Sequence, residues 1–300
     1  MKTFDNFQSA YLDCINEVLY NGNDVTVRSE NMREKIFHGF ILSNPRERLL
    51  NIPSRKNMYR YIFGELLWYL DGNDSVEFID SYSSMWKTLS DDGEHSNSAY
   101  GKYLFKPMHC KGEGVNYDND NNLKSQWDYV KELLRKDPFT RQAIIHVKPI
   151  QMYSTKDVVC TFYLHFFIRD GKLNLIVNMR SNDLMFGTPY DVFMFTFMQE
   201  LMSVELGIEL GSYYHIANNM HIYHKNLEKL RIVATELSEN PRPNKLSKIP
   251  KKFRHVCLKK ILAYVNTDIS DQHYVSKEPI IQELLDMYKG KFYEKFIRGD

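Results

Sequence analysis

The chain has 300 residues and a net charge of +1, with 43% hydrophobic and 26% charged residues. This apolar content is enough to build a folded core, and it excludes wholesale disorder. The near-neutral charge argues against a dedicated nucleic-acid-binding protein, which would carry a strong basic excess.

Cysteine usage and the apolar segments favour a soluble, cytoplasmic protein. The cysteines at positions 14, 110, 160 and 257 lack the paired spacing of a disulfide framework or a zinc site. Residues 1–5 carry no apolar signal core. The most apolar later stretch, residues 190–208, is interrupted by Asp191, Gln199 and Glu205, so we do not expect it to span a membrane.

The first half of the chain predicts mainly helix. Apolar periodicity indicates helices at 7–19, 58–70 and 125–134 and a strand at 30–42. Between them, residues 108–122 are polar and are predicted to form a loop.

The second half mixes strands with helices. Its pattern predicts strands at 143–147, 161–169, 173–179 and 213–217, and helices at 193–206, 222–236 and 280–296. Because the elements mix without a regular βαβ alternation, we predict a mixed sheet rather than a doubly wound one, in a single domain over 1–300.

Polar residues of the second half have a spacing that no packing rule requires. Cys160 is followed by Arg180-Ser181-Asn182-Asp183, then by the Asp191 segment, then by His221 and Tyr223. A thiol attacks only as thiolate, and a nearby guanidinium such as that of Arg180 favours the thiolate. Arg28, Arg180 and Ser181 are also suited to holding a phosphate. Taken singly, these residues are more often a buried cysteine and surface arginines.

Several motifs match one family when they are taken together. They are Glu65-Leu66-Leu67-Trp68-Tyr69-Leu70, Trp86 followed by Tyr100-Gly101-Lys102, Asp137-Pro138-Phe139-Thr140-Arg141, and the spaced set Cys160, Arg180, Ser181, Asp183, Gly187, Pro189, His221 and Tyr223. Over residues 7–226 this pattern resembles the thymidylate synthase family. The resemblance implies an α+β fold, with a large mixed sheet flanked by helices, and a homodimer packed sheet to sheet. It also implies that Arg141 reaches the partner's phosphate site.

The residue at position 191 separates the branches of that family. The methylating enzymes carry Asn there, whereas this chain has Asp191, whose carboxylate can only accept hydrogen bonds. An acceptor matches the 4-amino group of cytosine and opposes the 4-carbonyl of uracil, so Asp191 predicts a cytosine nucleotide. The alternative is a protonated Asp191 that still takes uracil.

Other details resemble the deoxycytidylate hydroxymethylase branch. They include Asn97-Ser98, Cys160-Thr161 and the run from Asn178 to Asp183. The apolar C-terminal tail of the methylases is not recognisable in residues 294–300, so the region 237–300 is divergent. Ser181 also resembles the residue of the enzymes that act on deoxynucleotides, which favours dCMP over CMP as the substrate.

The resemblance implies a mechanism with 5,10-methylenetetrahydrofolate as cosubstrate and no metal. Cys160 adds to carbon 6 of the base, carbon 5 takes the one-carbon unit, and water completes a hydroxymethyl group. Glu65 organises water and protons, and Tyr100 assists the carbon-5 proton transfer. Without the resemblance, Glu65 would more simply cap or salt-bridge its helix.

Further residues are assigned to binding by the same resemblance. His221 and Tyr223 contact the sugar 3′-hydroxyl, and Asn182 and Asp183 contact the substrate. The resemblance assigns the folate contacts to Trp86, Arg55, Asp183 and Gly187. His215, His221 and His224 also permit a metal site, but no acidic or Cys partner stands at ligand spacing.

Departures from the family pattern keep other functions open. Gln142 stands where most relatives carry a second Arg, His165 replaces a Gln, and Asn218-Asn219-Met220 replaces Gly-Asp-Ala. The alternatives are a CMP hydroxymethylase, a methylase converting dUMP to dTMP, and a non-catalytic nucleotide- or RNA-binding homologue. We expect neither a membrane nor an obligatory nucleic-acid partner.

Overall fold

The computed structural model of the chain describes residues 1–107, 125–149, 154–239, 244–266 and 275–298. The predicted polar loop at 108–122 lies outside these residues. Among the described helices, none combines the length and the apolar composition needed to cross a bilayer.

Within the described ranges, eight strands form one sheet. They are β1 (Lys2–Phe4), β2 (Asn23–Val27), β3 (Glu30–Leu42), β4 (Ile144–His146), β5 (Thr161–Arg169), β6 (Lys172–Met179), β7 (Asn182–Asp183) and β8 (Glu209–Tyr223). Their order is β1-β3-β8-β6-β5-β4, with β2 beside β3 and β7 beside β8. Strand β8 runs antiparallel to β3 but parallel to β6 and β7. The predicted mixed sheet is therefore confirmed.

The helices surround this sheet. They are α1 (Phe7–Asn21), α2 (Met58–Asp71), α3 (Val76–Asp80), α4 (Met85–Leu89), α5 (Tyr100–Phe105), α6 (Gln126–Lys136), α7 (Thr188–Leu206), α8 (Leu227–Glu239), α9 (Leu258–Asn266) and α10 (Pro279–Tyr288). Helix α7 packs on β6 and β8. Most of its residues are buried, which is typical of a helix inside the core.

Helix α2 holds one carboxyl group within a run of buried residues. Every residue from Ile62 to Leu70 is buried, and Glu65 is among them. The helix ends at Gly72, which takes the left-handed conformation common after helix C-termini. Helix α5 approaches α2 closely because Gly101 has no side chain: a Cβ there would lie 2.2 Å from the carbonyl oxygen of Tyr69. This close approach sets Tyr100 beside Tyr69, with ring centroids 5.7 Å apart.

Strand β8 was only partly predicted. The predicted strand at 213–217 is too short, and the predicted helix start at 222 is wrong, because Ile222 and Tyr223 pair with Arg33 and Met32 of β3. Pairing with β3 and β6 extends the strand through polar residues whose sequence pattern is not typical of a β-strand.

Several other boundaries also differ from the sequence-based expectation. Helix α7 begins at Thr188 rather than at 193, with Pro189 in its first turn. The tail helix predicted at 280–296 is interrupted, because Gly290 takes a left-handed φ of +68° after α10. Strands β1 and β2 and helices α3, α4, α5 and α9 were not predicted.

A buried ion-pair cluster joins α7 to the segment that follows β3. Glu200 is 5% exposed, accepts a hydrogen bond from Arg46 Nε at 3.1 Å and pairs with the buried guanidinium of Arg48. It also accepts a hydrogen bond from the backbone N–H of Ile249 at 3.3 Å. The cluster therefore ties three separate segments together, with Glu200 and Arg48 buried and Arg46 half-buried.

We predict that Glu200→Gln destabilises the protein by about 3–5 kcal/mol, because it leaves the charge of Arg48 buried without a counter-charge. Urea unfolding of the variant measures this loss. The control is Glu209→Gln, which removes a surface partner 3.8 Å from Lys172 and should change stability by less than about 1 kcal/mol. Equal effects of the two substitutions would contradict the buried-pair interpretation.

Candidate active site

A cavity of about 870 Å³ gathers most of the residues predicted to function. Its walls come from α2, α5, the β2–β3 hairpin, the β6–β7 turn, the start of α7 and the end of β8. The predicted site residues that line it are Arg28, Glu65, Trp86, Tyr100, Cys160, Arg180, Ser181, Asn182, Asp183, Gly187, Asp191, His221 and Tyr223.

Cys160 is held at the start of β5 by hydrogen bonds of its own backbone. Its N–H donates to the Tyr100 hydroxyl at 3.3 Å, and its carbonyl accepts from the Arg180 N–H at 2.8 Å. Immediately after it, the β5–β6 register shifts between Thr161 and Tyr163. Such irregularities re-aim side chains beside functional sites.

Arg180 stabilises the segment that carries the thiol. Its Nε donates to the Val159 carbonyl at 3.0 Å, and its Nη2 donates to the Val158 carbonyl at 2.7 Å. Burial raises the pKa of the Cys160 thiol, and the positive charge of Arg180 opposes this only in part. Arg180 thus acts in the expected direction, but the thiol of the free protein is protonated at neutral pH.

Glu65 ends a short line of hydrogen bonds that begins at an indole. Trp86 Nε1 donates to the Tyr61 hydroxyl at 3.0 Å, and that hydroxyl donates to Glu65 Oε1 at 3.1 Å. Glu65 Oε2 is buried and has no partner among the described residues. Burial, together with the negative charge of Asp191, raises the pKa of Glu65 to about 8. Glu65 is therefore a protonated acid at neutral pH, able to hold and transfer a proton.

Asp191 is the second carboxyl of the cavity. It lies in the first turn of α7, and its Oδ2 accepts a hydrogen bond from Asn182 Nδ2 at 2.7 Å. Burial raises its pKa to about 7, although the hydrogen bond from Asn182 lowers it. Near neutral pH both the carboxylate and the acid are populated.

A polar end of the cavity is formed by the β2–β3 hairpin and the end of β8. Arg28 lies at the hairpin turn with a left-handed φ of +50°. His221 contacts Asn219 Oδ1 through Nδ1 at 3.0 Å, and Asn219 donates to Glu34. Burial lowers the pKa of His221, which makes it a neutral ring with Nε2 left to accept a hydrogen bond.

Asp183 has a local structural role besides the predicted contacts. Its Oδ1 accepts hydrogen bonds from the backbone N–H groups of Met185 and Phe186 at 2.5 and 3.0 Å. This arrangement shapes the turn that leads to Gly187.

Two predicted residues lie away from the cavity. Arg55 is buried with its guanidinium over the Tyr190 ring, 5.6 Å from the centroid, so it supports the cavity wall from behind. Arg141 is exposed and borders a separate depression of about 220 Å³, with His165, Phe167 and Arg169, on the outer face of the sheet. Within the described ranges, no cluster of His, Cys, Asp and Glu is arranged to hold a metal ion.

Sequence reasoning missed several residues of the cavity. Tyr61 stands four positions before Glu65. Helical periodicity was therefore a signal that the two residues share one face of α2. Asp157 is buried and accepts hydrogen bonds from Ser96 Oγ at 2.7 Å and from the Ser98 N–H at 3.0 Å. It ties the segment before Cys160 to the loop before α5, a long-range contact with no local signal.

Comparison with known proteins finds one matching family. A sequence profile of the family described as "Thymidylate synthase" matches residues 9–285. A deoxyuridylate hydroxymethyltransferase of Bacillus phage SP01 is 32% identical over 218 residues, which is 71% of this chain and 56% of that protein. This chain therefore spans little more than half the length of that relative.

The fold also has a solved counterpart. The thermostable thymidylate synthase A from Bacillus subtilis superposes with a TM-score of 0.65 at 21% identity, covering 81% of this chain and 87% of that one. This likeness confirms the predicted fold class, a large mixed sheet flanked by helices.

We predict that the stability of the protein falls as the pH rises from about 4 to 8. Glu65 and Asp191 bind protons more tightly when folded, with pKa values of about 8 and 7 against ordinary values of 4.5 and 3.8. Their contribution is therefore complete below the unfolded pKa values and is lost as the pH passes the folded ones. Glu65→Gln and Asp191→Asn should each flatten this slope and stabilise the protein at pH 8.5 by roughly 1–3 kcal/mol.

Urea unfolding across this pH range measures the effect. Exposed Glu77 provides the matched control, since Glu77→Gln should leave the slope unchanged. Parallel pH profiles for wild type and both cavity variants would show that neither carboxyl has a raised pKa.

Proposed function

Because the chain belongs to the thymidylate synthase family, we propose that it transfers a one-carbon unit to a pyrimidine nucleotide. The specific reaction is hydroxymethylation of carbon 5 of dCMP. It consumes 5,10-methylenetetrahydrofolate and water, and it yields 5-hydroxymethyl-dCMP and tetrahydrofolate. The observation that carries this proposal is the cavity that unites one thiol, Cys160, with two carboxyls of raised pKa, Glu65 and Asp191.

The thiol and the carboxyls divide the chemistry. Cys160 Sγ adds to carbon 6 of the base, which makes carbon 5 nucleophilic. After carbon 5 has taken the one-carbon unit and lost its proton, the bond from that unit to the folate nitrogen breaks, which expels tetrahydrofolate and leaves an exocyclic methylene. Water then adds to this methylene and Cys160 is expelled. Glu65, a neutral acid with a free Oε2, is suited to orienting that water and moving its proton. Tyr100, whose hydroxyl contacts the Cys160 backbone, is the group proposed to assist the loss of the carbon-5 proton.

Asp191 is the basis for choosing cytosine. As a carboxylate it accepts hydrogen bonds, so it complements the 4-amino group of cytosine and faces the 4-carbonyl of uracil acceptor against acceptor. A mismatch of buried polar groups discriminates by about 10⁴-fold in sites of this kind.

A second candidate is hydroxymethylation of dUMP. The relative from phage SP01 is named a deoxyuridylate hydroxymethyltransferase. Asp191 has a pKa of about 7, and its protonated form can donate to the 4-carbonyl of uracil. In both candidate reactions Cys160 attacks the base in the same way. The two reactions differ only in the protonation state of Asp191 when it contacts the base.

The rest of the cavity suits the sugar, the phosphate and the folate. The neutral ring of His221 and the hydroxyl of Tyr223 are proposed to bind the 3′-hydroxyl of a deoxynucleotide. Arg28 and Ser181 supply charge and hydrogen bonds for the phosphate. Methylenetetrahydrofolate supplies the one-carbon unit, and its ring system is proposed to contact apolar side chains that line the cavity, Met85, Trp86, Leu89 and Phe186.

We also propose that two copies pack through the outer face of the sheet. His165, Phe167, Ile176 and Tyr214 are half-buried on that face, and Arg141 lies beside them. Arg141 would then reach the phosphate site of the partner, which is the role that the family pattern implies for it. We further propose that the protein acts in the cytoplasm, away from membranes.

The product assay separates the candidates. Wild-type protein is incubated with 5,10-methylenetetrahydrofolate and with dCMP, CMP or dUMP, and the product is identified by mass spectrometry. We expect 5-hydroxymethyl-dCMP, and no product from Cys160→Ser, because an alcohol is a far weaker nucleophile than a thiolate. A methylated nucleotide or hydroxymethyl-CMP would favour the other enzymes of the scaffold. Binding without turnover would indicate a non-catalytic homologue.

Asp191→Asn tests the choice of base. The amide can both donate and accept, so we expect kcat/KM for dCMP to fall by about 10²–10⁴-fold and the preference to move toward dUMP. Asp170→Asn, in the exposed β5–β6 turn, is the matched control and should not alter selectivity. If the Asp191 variant kept wild-type selectivity, cytosine recognition would have to lie elsewhere.

A further inference from the structure

Behind Asp191, three more side chains continue a line of hydrogen bonds into the core. Asn182 Nδ2 donates to Asp191 Oδ2 at 2.7 Å, and Asn182 Oδ1 lies 2.9 Å from His215 Nε2. His215 Nδ1 lies 2.8 Å from the hydroxyl of Tyr213. The hydroxyl of Thr188 also donates to Asn182 Oδ1, at 2.7 Å.

This line is fully enclosed. Tyr213, His215 and Thr188 are 0% exposed, and Asn182 is 2% exposed. The ring of Phe40 stacks on His215 with centroids 5.1 Å apart and fixes the imidazole plane. Burial lowers the pKa of His215 to about 3, so the ring is neutral and carries a single N–H.

The position of that N–H follows from the buried end of the line. Among the described residues, the Tyr213 hydroxyl has no hydrogen-bond partner other than His215 Nδ1. Its hydrogen must therefore point at Nδ1, because the reverse arrangement would leave a buried donor unpaired. With Nδ1 accepting, the proton of the ring is on Nε2, and it donates to Asn182 Oδ1.

The orientation of the Asn182 amide is thereby determined. Its carbonyl oxygen is occupied by His215 and Thr188, so its amino group faces Asp191. Gly187 provides the space, since a Cβ there would lie 3.0 Å from Asn182 Nδ2 and 2.9 Å from the Asp183 carbonyl oxygen.

We propose that Tyr213 and His215 are positioning residues for base selection, which hold Asn182 as an obligatory donor to Asp191. Oδ2 of Asp191 is then permanently engaged by the protein, and Oδ1 alone reads the 4-substituent of the base. The inference rests on the proposed function, in which Asp191 contacts the pyrimidine. It adds that selectivity depends on two side chains that never touch the nucleotide.

Loss of this orientation has a defined consequence. Asn182 lowers the pKa of Asp191, whereas burial raises it, as does the charge of Asp183; Glu65 adds a second carboxyl on the α2 side. An amide free to turn gives less support to the carboxylate. The neutral acid, which can donate to uracil, then becomes more populated near neutral pH.

The test compares His215→Phe, Tyr213→Phe and Tyr214→Phe. The first keeps a ring but removes the donor, and the second removes only the hydroxyl that fixes the tautomer. Tyr214 lies on the opposite face of β8 against Phe167, so its variant is the matched control. His215→Gln, which keeps an amide N–H near the position of Nε2, serves as the rescue.

Two readouts are taken. The pKa of Asp191 is followed by ¹³C NMR of its carboxyl in the ligand-free protein, and calorimetry gives the ratio of Kd for dUMP to Kd for dCMP at pH 7.5. In His215→Phe we expect the Asp191 pKa to rise by about one unit and the ratio to fall about tenfold. Tyr213→Phe should shift both in the same direction by less, His215→Gln should restore both, and Tyr214→Phe should change neither.

The outcomes separate this inference from the function on which it rests. A folded His215→Phe or Tyr213→Phe protein with an unchanged Asp191 pKa and an unchanged binding ratio would overturn the positioning role. If His215→Phe fails to fold, Tyr213→Phe decides the matter in the same way. Wild-type protein that binds neither nucleotide would overturn the proposed function, while the ligand-free titration would still decide the orientation of Asn182.

Discussion

Two carboxyl groups, those of Glu65 and Asp191, line one cavity in this protein, and the burial of both is the constraint on which the site depends. Glu65 and Asp191 each have a raised pKa because burial disfavours the charged form, and the negative charge of Asp191 raises the pKa of Glu65 further. Such an arrangement is unfavourable to stability. It persists because the core around it, from α2 and α7 to the sheet, is extensively buried.

The sheet and its neighbours hold this arrangement in place. Strand β8 lies between β3 and β6 and ends at His221 and Tyr223, while β7 pairs alongside it and carries Asn182. Helix α7 then begins at once, so Asp191 emerges from its first turn facing the thiol side of the cavity. Hydrogen bonds of Asn182 and Tyr61 to the two carboxyls limit their freedom. Helices α2 and α7 therefore position the two carboxyls.

The relatives place this chain within a broader family. The solved thymidylate synthase shares the fold at 21% identity, and a phage hydroxymethyltransferase shares 32% over 218 residues. A common scaffold leaves the outcome of the reaction to a few side chains in the cavity. In this chain we propose that those side chains are Asp191 and Glu65, with the buried line from Tyr213 to Asn182 behind Asp191.

The sequence by itself determined the fold class and the positions of α1, β3 and β5. It also identified most of the predicted site residues that line the cavity. These follow from local periodicity and from motifs whose spacing survives in a linear chain. Only the tertiary structure decided the length of β8, the protonation of Cys160 and Glu65, and the orientation of Asn182. Each of these depends on burial and on partners far apart in sequence, such as Arg33 against Ile222 or His215 against Asn182. A pKa and a hydrogen-bond direction belong to an environment, and that environment exists only after folding.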